Sequence, residues 1–164
     1  MKVAALKMRN DDYILELHLT FRERIARVIA RLESQGFRPR IQDAWRSPEQ
    51  QKKAFDSGHS QLVFGFHNTT TFNGTPDALA VDMTDDNSPL KPSKPYLLQL
   101  AAAAEAEGLT TGIRWGLDEN LSGGVDAAIA SQDWKANVKI GWDPTHVQPT
   151  DITVDQAKSG LRPA

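Results

Sequence analysis

The feature that most constrains the fold is an apolar repeat near the start of the chain. Apolar side chains recur at spacings of three and four residues, at Ile14, Leu17, Phe21, Ile25, Val28 and Leu32. This period places them on one face of an α-helix of about five turns, and Gly36 is a suitable stop signal. The sequence therefore predicts a long amphipathic helix over 14–32.

Shorter segments follow, with strand and helix patterns. We expect strands over 37–46, 77–83 and 137–142, helices over 48–57, 96–107 and 125–134, and loops over 67–77 and 116–124. The 48–57 helix has the clearest start, because Ser47 and Gln50 form a capping-box pattern around Pro48 at the first helical position. In the 77–83 strand, Asp82 faces the side opposite Val81. These patterns predict one α+β domain over 1–164, in which a short antiparallel sheet is flanked by helices. Its core covers about 12–150, and 151–164 form a C-terminal tail.

Composition excludes several classes of protein. Of 164 residues, 40% are hydrophobic and 24% are charged, which is ordinary for a globular domain and rules out collagen, coiled coil and wholesale disorder. The formal charge of -2 gives no reason to expect a nucleic-acid partner. Cysteine is absent, so disulfides, thiolate metal sites and a cysteine nucleophile are excluded.

The first residues carry charges early. Asp11 and Asp12 come before any long apolar run, so we expect neither a signal peptide nor a membrane span. We accordingly expect a monomer that is made in the cytoplasm and has no stable membrane association.

Two histidines and two aspartates form the candidate chemistry. His67 is followed by Asp82 at the end of an apolar strand, and Asp143 and His146 follow Trp142 directly. Two imidazoles and one carboxylate suit Zn²⁺, and three protein ligands leave a fourth position for water. Asp143 would then be free to act as general base. The spacing alone also fits histidines that are merely exposed or packed.

Three segments together resemble one enzyme family. They are AWRSPEQQ (44–51), FHN…ALAVDM (66–83) and WDPTHVQ (142–148). They are similar to motifs of the zinc D-alanyl-D-alanine carboxypeptidase (VanY-like) and L-alanyl-D-glutamate endopeptidase family, which includes many phage endolysins. That family has an arginine in a segment like YRSPEEQ, a histidine and an aspartate in SxHxxGxAxD, and a final acidic-x-x-His. The three motifs occur here in the family's order.

The resemblance implies a role for each matching residue. It makes His67, Asp82 and His146 the zinc ligands, Asp143 the catalytic base, and Arg46 a cation that binds substrate or intermediate. The sequence departs from the family pattern in its second motif. Gly65 stands where the family has serine, the motif glycine is replaced near Ala78, and residues 68–76 look like an insertion that lengthens the His-to-Asp interval. These departures affect loop geometry and substrate fit more than metal binding.

The implied function is a zinc-dependent peptidase that cuts an amide bond in the stem peptide of bacterial peptidoglycan, as an endolysin-like L-Ala-D-Glu endopeptidase. Three alternatives stay open: a D-Ala-D-Ala carboxypeptidase or dipeptidase, a cell-wall-binding module without catalysis, and a glycosidase that uses Asp85 or Asp86. His59 is a rival metal ligand. Asp143 could instead begin a turn with Pro144.

Overall fold

The computed structural model describes residues 1–164 and contains six α-helices and four β-strands. The helices are α1 (Val3–Ile14), α2 (Leu19–Ser34), α3 (Pro48–Asp56), α4 (Lys94–Ala106), α5 (Glu119–Ser131) and α6 (Val154–Lys158). The strands are β1 (Pro39–Asp43), β2 (Val81–Asp85), β3 (Leu109–Gly112) and β4 (Asp143–Pro149). All strand pairs are antiparallel, in the order β1-β2-β4-β3. The predicted α+β class, with a short antiparallel sheet flanked by helices, is confirmed.

The predicted first helix is in fact two helices. The apolar face from Phe21 to Leu32 is buried as expected, but α2 begins at Leu19 and a separate α1 precedes it. The break lies at Leu17, whose backbone pairs with Ala78, and the N–H of His18 donates to the Ala78 carbonyl at 2.9 Å. The apolar spacing of the sequence continues through Leu17, but this tertiary backbone contact interrupts the helix there.

The core lies between the sheet and two helices. It forms one cluster of 28 buried residues, to which α2 and α4 contribute most of their apolar face. From the sheet, Ile41, Val81, Met83, Leu109 and Val147 enter the same cluster. Val81 and Met83 alternate with Asp82, so the other face of β2 is left for polar chemistry.

Several predicted boundaries need correction. The 77–83 strand begins only at Val81, and α5 starts at Glu119 rather than at 125, because Asp118 caps it and Gly123 and Gly124 are tolerated inside it. The predicted strand 137–142 was wrong: these residues have no regular structure, and β4 begins at Asp143. The 48–57 helix is confirmed, including its capping box.

The tail also contributes to the core. Two of its residues belong to the core cluster: Ile152, which precedes α6, and Ala157, which lies within α6. Arg162 donates to Asp77 at 2.7 Å and to the Thr70 carbonyl at 2.6 Å, so the tail is tied to the loop after His67.

No helix in the molecule is both long enough and apolar enough to traverse a lipid bilayer.

Candidate metal centre

The register of the central strands brings two of the predicted ligands face to face. In the β2–β4 pair, Val81 lies opposite Val147, and Asp82 lies opposite His146. The valine pair is buried in the core. Because side chains alternate along a strand, the next pair faces the other side of the sheet. There the Nδ1 atom of His146 lies 3.2 Å from Oδ1 of Asp82.

His67 reaches the same point from a 3₁₀ turn, Phe66–Asn68. Two backbone hydrogen bonds and one from a side chain fix this turn. The carbonyl of His67 accepts from Arg46 N–H at 2.8 Å, and the carbonyl of Phe66 accepts from Leu79 N–H at 2.9 Å. The side chain of Asn68 donates through Nδ2 to the Arg46 carbonyl at 2.9 Å. The turn is therefore anchored to both the segment after β1 and the segment before β2.

The long interval between His67 and Asp82 is accommodated by a closed loop. Thr69 and Asp77 join its base through two hydrogen bonds, of 2.7 and 3.0 Å. Beyond this base the chain makes a short hairpin, with a bridge between Thr70 and Pro76. The extra residues therefore project outward, and both ends of the loop keep their positions at the site.

The predicted ligands form a cluster that suits a metal ion. One ligand atom from each of His67, Asp82 and His146 lies within 4.8 Å of the other two. The Nδ1 of His67 bonds to the carbonyl of Ala44, so its proton lies there and Nε2 carries the lone pair. That Nε2 is buried, has no hydrogen-bond partner, and lies 3.5 Å from Oδ2 of Asp82. A lone pair held against a carboxylate is repulsive unless a cation lies between them, so the donor set fits zinc.

The electrostatics of the site separate its two aspartates. Burial alone would raise the pKa of Asp82, but the two imidazoles that converge on it, His67 and His146, hold this pKa well below its usual range. Burial would lower the pKa of His146, but its contact with the Asp82 carboxylate raises the pKa above its ordinary value. Burial raises the pKa of Asp143, against the opposing charge of His146. Asp82 is thus firmly anionic, while Asp143 is more basic than an exposed aspartate.

Arg46 lies beside the ligand cluster and contacts Asp82 directly. Its Nη2 donates to Oδ2 of Asp82 at 3.0 Å, its Nε donates to Asp43, and its Nη1 lies 3.4 Å from Oε1 of Gln51. These bonds occupy three of the five N–H groups of a guanidinium. Two N–H groups remain for a ligand in the adjoining cavity, which Arg46 lines.

Asp143 owes its position to close backbone packing. It pairs with Gly112 at a bulge between β3 and β4, and a Cβ atom on Gly112 would lie 2.1 Å from the carbonyl oxygen of Asp143. A Cβ atom on Gly141 would likewise lie 2.6 Å from backbone atoms of Ile113 and Trp115. Bulges of this kind commonly re-aim side chains next to active sites.

The cluster opens into a cavity of about 280 Å³. Its lining includes the three cluster residues, Arg46 and Asp143, together with two tryptophans and three glutamines: Trp115, Trp142, Gln51, Gln61 and Gln148. The two tryptophan rings lie 5.2 Å apart, and the ring of Trp115 lies 5.3 Å from that of His146. The cavity therefore combines an aromatic wall with the polar cluster.

The rival residues lie elsewhere. His59 lines the cavity but is outside the three-residue cluster, and its Nδ1 bonds to Ser57 Oγ at 2.8 Å. Asp86 forms ion pairs with Arg38 at 3.0 Å and Arg40 at 3.3 Å. Neither Asp85 nor Asp86 lines the cavity.

Sequence reasoning missed two partners of the histidines. One is the carbonyl of Ala44, which no residue-type pattern could reveal. The other is Gln148, whose Oε1 lies 2.9 Å from Nε2 of His146. The spacing of two residues was the available signal, because residues i and i+2 of a strand share a face.

Comparison with known proteins adds one finding on the fold. Neither a protein-family profile nor a curated protein sequence matches the chain. The chain is similar to the crystal structure of the L-Ala D-Glu endopeptidase ChiX of Serratia marcescens, with a TM-score of 0.53 and 18% identity. The match covers 87% of this chain and 86% of that chain. It establishes that the two proteins share a fold over nearly their whole length.

Proposed function

We propose that this protein is a zinc-dependent peptidase that hydrolyses an amide bond in the stem peptide of bacterial peptidoglycan. The observation that carries the proposal is the buried, unpartnered Nε2 of His67, which converges with Asp82 and His146 at a cavity. The fold shared with an L-Ala D-Glu endopeptidase supports this substrate class. In this account residues 1–164 form one peptidase domain, which works as a monomer at the bacterial cell wall.

The ligand set defines the chemistry of the centre. His67, Asp82 and His146 would hold the zinc ion, which when bound would lower the pKa of a coordinated water to about 7 and polarise the scissile carbonyl. Asp143 lies outside this set and keeps a free carboxylate at the cavity. As general base it accepts a proton from the attacking water and then delivers that proton to the leaving amine, so that it ends the cycle deprotonated.

Arg46 has two roles in this account. Its bond to Asp82 holds one carboxylate oxygen, which fixes the orientation of that ligand. Its two remaining N–H groups can pair with a substrate carboxylate or with the oxyanion that develops during attack. Stem peptides carry free carboxylates, so a fixed guanidinium at the cavity suits this substrate.

Within this class we favour an endolysin-like cut between L-alanine and D-glutamate. The support is the resemblance of the three sequence motifs and the fold shared with an enzyme of that named activity. A D-Ala-D-Ala carboxypeptidase or dipeptidase would use the same metal ligands but would place a different scissile bond of its substrate in the cavity.

Two other classes fit the site less well. A wall-binding module without catalysis needs no basic aspartate at the cavity, whereas burial raises the pKa of Asp143 beside the cluster. A glycosidase that uses Asp85 or Asp86 needs paired carboxylates at a cleft. Asp86 is instead almost fully buried, with 2% of its side chain exposed, and is paired with arginines.

Digestion of purified peptidoglycan distinguishes these classes. A peptidase should release new amino groups and no new reducing sugar ends, and a chelator should abolish the release. A glycosidase would release reducing ends whether or not chelator is present. A binding module would co-sediment with the wall and release neither product.

A further inference from the structure

His146 has a side-chain partner on each of its two ring nitrogens. Its Nδ1 lies 3.2 Å from Oδ1 of Asp82, on the side of the ligand cluster. Its Nε2 lies 2.9 Å from Oε1 of Gln148, on the opposite side of the ring. Gln148 follows two residues later in β4, so both side chains project from the same face of the strand.

The contact with Gln148 decides which nitrogen can bind a metal. A neutral imidazole has one N–H and one lone pair. An amide oxygen accepts hydrogen bonds only, so in a neutral His146 this contact assigns the single ring proton to Nε2, where it points at Gln148. The lone pair is then left on Nδ1, where it faces Asp82 and His67. The other tautomer would direct an N–H into the ligand cluster and block coordination.

His67 uses its two nitrogens in the opposite way. Its Nδ1 donates to the backbone carbonyl of Ala44, and Nε2 faces the cluster. A backbone acceptor survives any side-chain substitution, whereas the acceptor for His146 is a side chain. Gln148 is therefore the one element of this tautomer control that a substitution can remove.

We propose that Gln148 is a positioning residue that holds His146 in its Nε2–H tautomer, so that Nδ1 binds the metal. This inference rests on the metal site proposed above. The strand itself fixes Gln148, because β4 lies between β2 and β3 and Gln148 pairs with Thr110 across the β3 edge. Such outer partners of histidine ligands typically contribute about 10–100-fold to metal affinity.

Trp115 gives a competing explanation for the order of His146. Its ring lies 5.3 Å from the imidazole, at 43°. Packing of this kind restricts the plane of the ring, but it does not decide which nitrogen carries the proton. The two explanations therefore predict different substitutions that preserve metal binding. If packing suffices, any side chain of similar bulk can replace Gln148. If Gln148 controls the tautomer, only a side chain that accepts a hydrogen bond can replace it.

The test measures zinc affinity by competition with a chromophoric chelator. Gln148→Leu keeps bulk and removes the acceptor, and we expect about 10–100-fold weaker binding. Gln148→Glu restores an acceptor and should bind zinc at least as tightly as the wild type. Gln61→Leu is the matched control, because Gln61 lines the same cavity without a bond to His146, and its affinity should not change.

A second readout reports the tautomer directly. In zinc-loaded protein labelled with ¹⁵N-histidine, His146 should show a metal-bound Nδ1 and a protonated Nε2. Zinc on Nε2, or an unchanged affinity in Gln148→Leu, would overturn the inference and leave the metal site intact. A wild-type protein that binds no zinc would overturn both the metal site and the role of Gln148.

Discussion

The imidazole of His67 donates its Nδ1 proton to the backbone carbonyl of Ala44. Two residues further on, the backbone N–H of Arg46 donates to the carbonyl of His67 at 2.8 Å. These reciprocal bonds join the segment after β1 to the 3₁₀ turn before the outward loop. They present the Nε2 of His67 and the guanidinium of Arg46 to the same carboxylate, that of Asp82.

The first prediction concerns metal content. The purified protein should hold about one zinc per chain, and His67→Ala and His146→Ala should each lose most of it, because catalytic zinc centres are typically held by three protein ligands and each variant removes one. Elemental analysis after dialysis measures this. His59→Ala is the control, because His59 lines the cavity outside the cluster and should keep full occupancy. If His67→Ala and His146→Ala both keep their zinc while His59→Ala loses it, the ligand assignment is wrong and His59 is a ligand.

The second prediction separates base from ligand. Asp143→Asn should retain zinc and the folded state and lose hydrolysis by about 10²–10⁴-fold, because the amide cannot accept the proton of the attacking water. Zinc content and turnover of a stem peptide, measured on the same preparation, provide the check. If the variant loses its zinc, Asp143 is a ligand; if turnover is unchanged, it has no part in the mechanism.

Local patterns predicted much of this site, for physical reasons. The capping box at Ser47 and the alternation of Val81, Asp82 and Met83 are properties of contiguous residues, and both occur in the structure. The motif resemblance pointed to all three cluster residues. Strand register brings Asp82 and His146 together, and the 3₁₀ turn adds His67.

Other features depend on contacts between distant segments. The break before Leu19 arises from pairing of Leu17 with Ala78, and Gly141, just before β4, packs closely against the backbone of Ile113 and Trp115. The carbonyl of Ala44 acts through the backbone, which every residue type has. Sequence periodicity carries no signal for any of these contacts.

The third prediction tests the packing that positions Asp143. Gly112→Ala would place a Cβ atom 2.1 Å from the carbonyl oxygen of Asp143, so the strand must shift. We expect a loss of about 1–3 kcal/mol in the free energy of unfolding, together with reduced turnover. Gly123→Ala, inside α5 with open space around it, should instead stabilise by about 0.5–1 kcal/mol. Denaturant titration measures both variants, and equal effects would contradict the packing argument.

The fourth prediction concerns Asp86 and pH. Burial alone would raise the pKa of Asp86, but the Met1 ammonium and the guanidinium groups of Arg40 and Arg38 lower it below its usual value. A lowered pKa stabilises the fold fully above about pH 4, and this contribution disappears as the pH falls through the folded-state pKa. Asp86→Asn should therefore lower the free energy of unfolding at pH 7 by about 1–2 kcal/mol, and this deficit should shrink in acid.

The control for Asp86 is an exposed ion pair. Asp56 pairs with Lys52 on α3, with 55% and 71% of the two side chains exposed, so Asp56→Asn should change stability by less than about 0.5 kcal/mol. Urea titrations at pH 7 and near pH 3 give the comparison. A deficit for Asp86→Asn that grows in acid would contradict the assigned sign. Hydrolysis should be unaffected, and its loss would revive the glycosidase alternative.

Mass spectrometry of a defined muropeptide, after incubation with metal-free or zinc-reconstituted protein, tests the proposed peptidase activity. We expect the reconstituted protein to add one water across the L-Ala–D-Glu amide, separating the glycan with its L-alanine from the rest of the stem peptide. The metal-free protein should leave the muropeptide intact. Release of free D-alanine would support a zinc peptidase that cuts the terminal D-Ala–D-Ala bond instead. Cleavage between sugars, or equal cleavage in metal-free protein, would contradict the account.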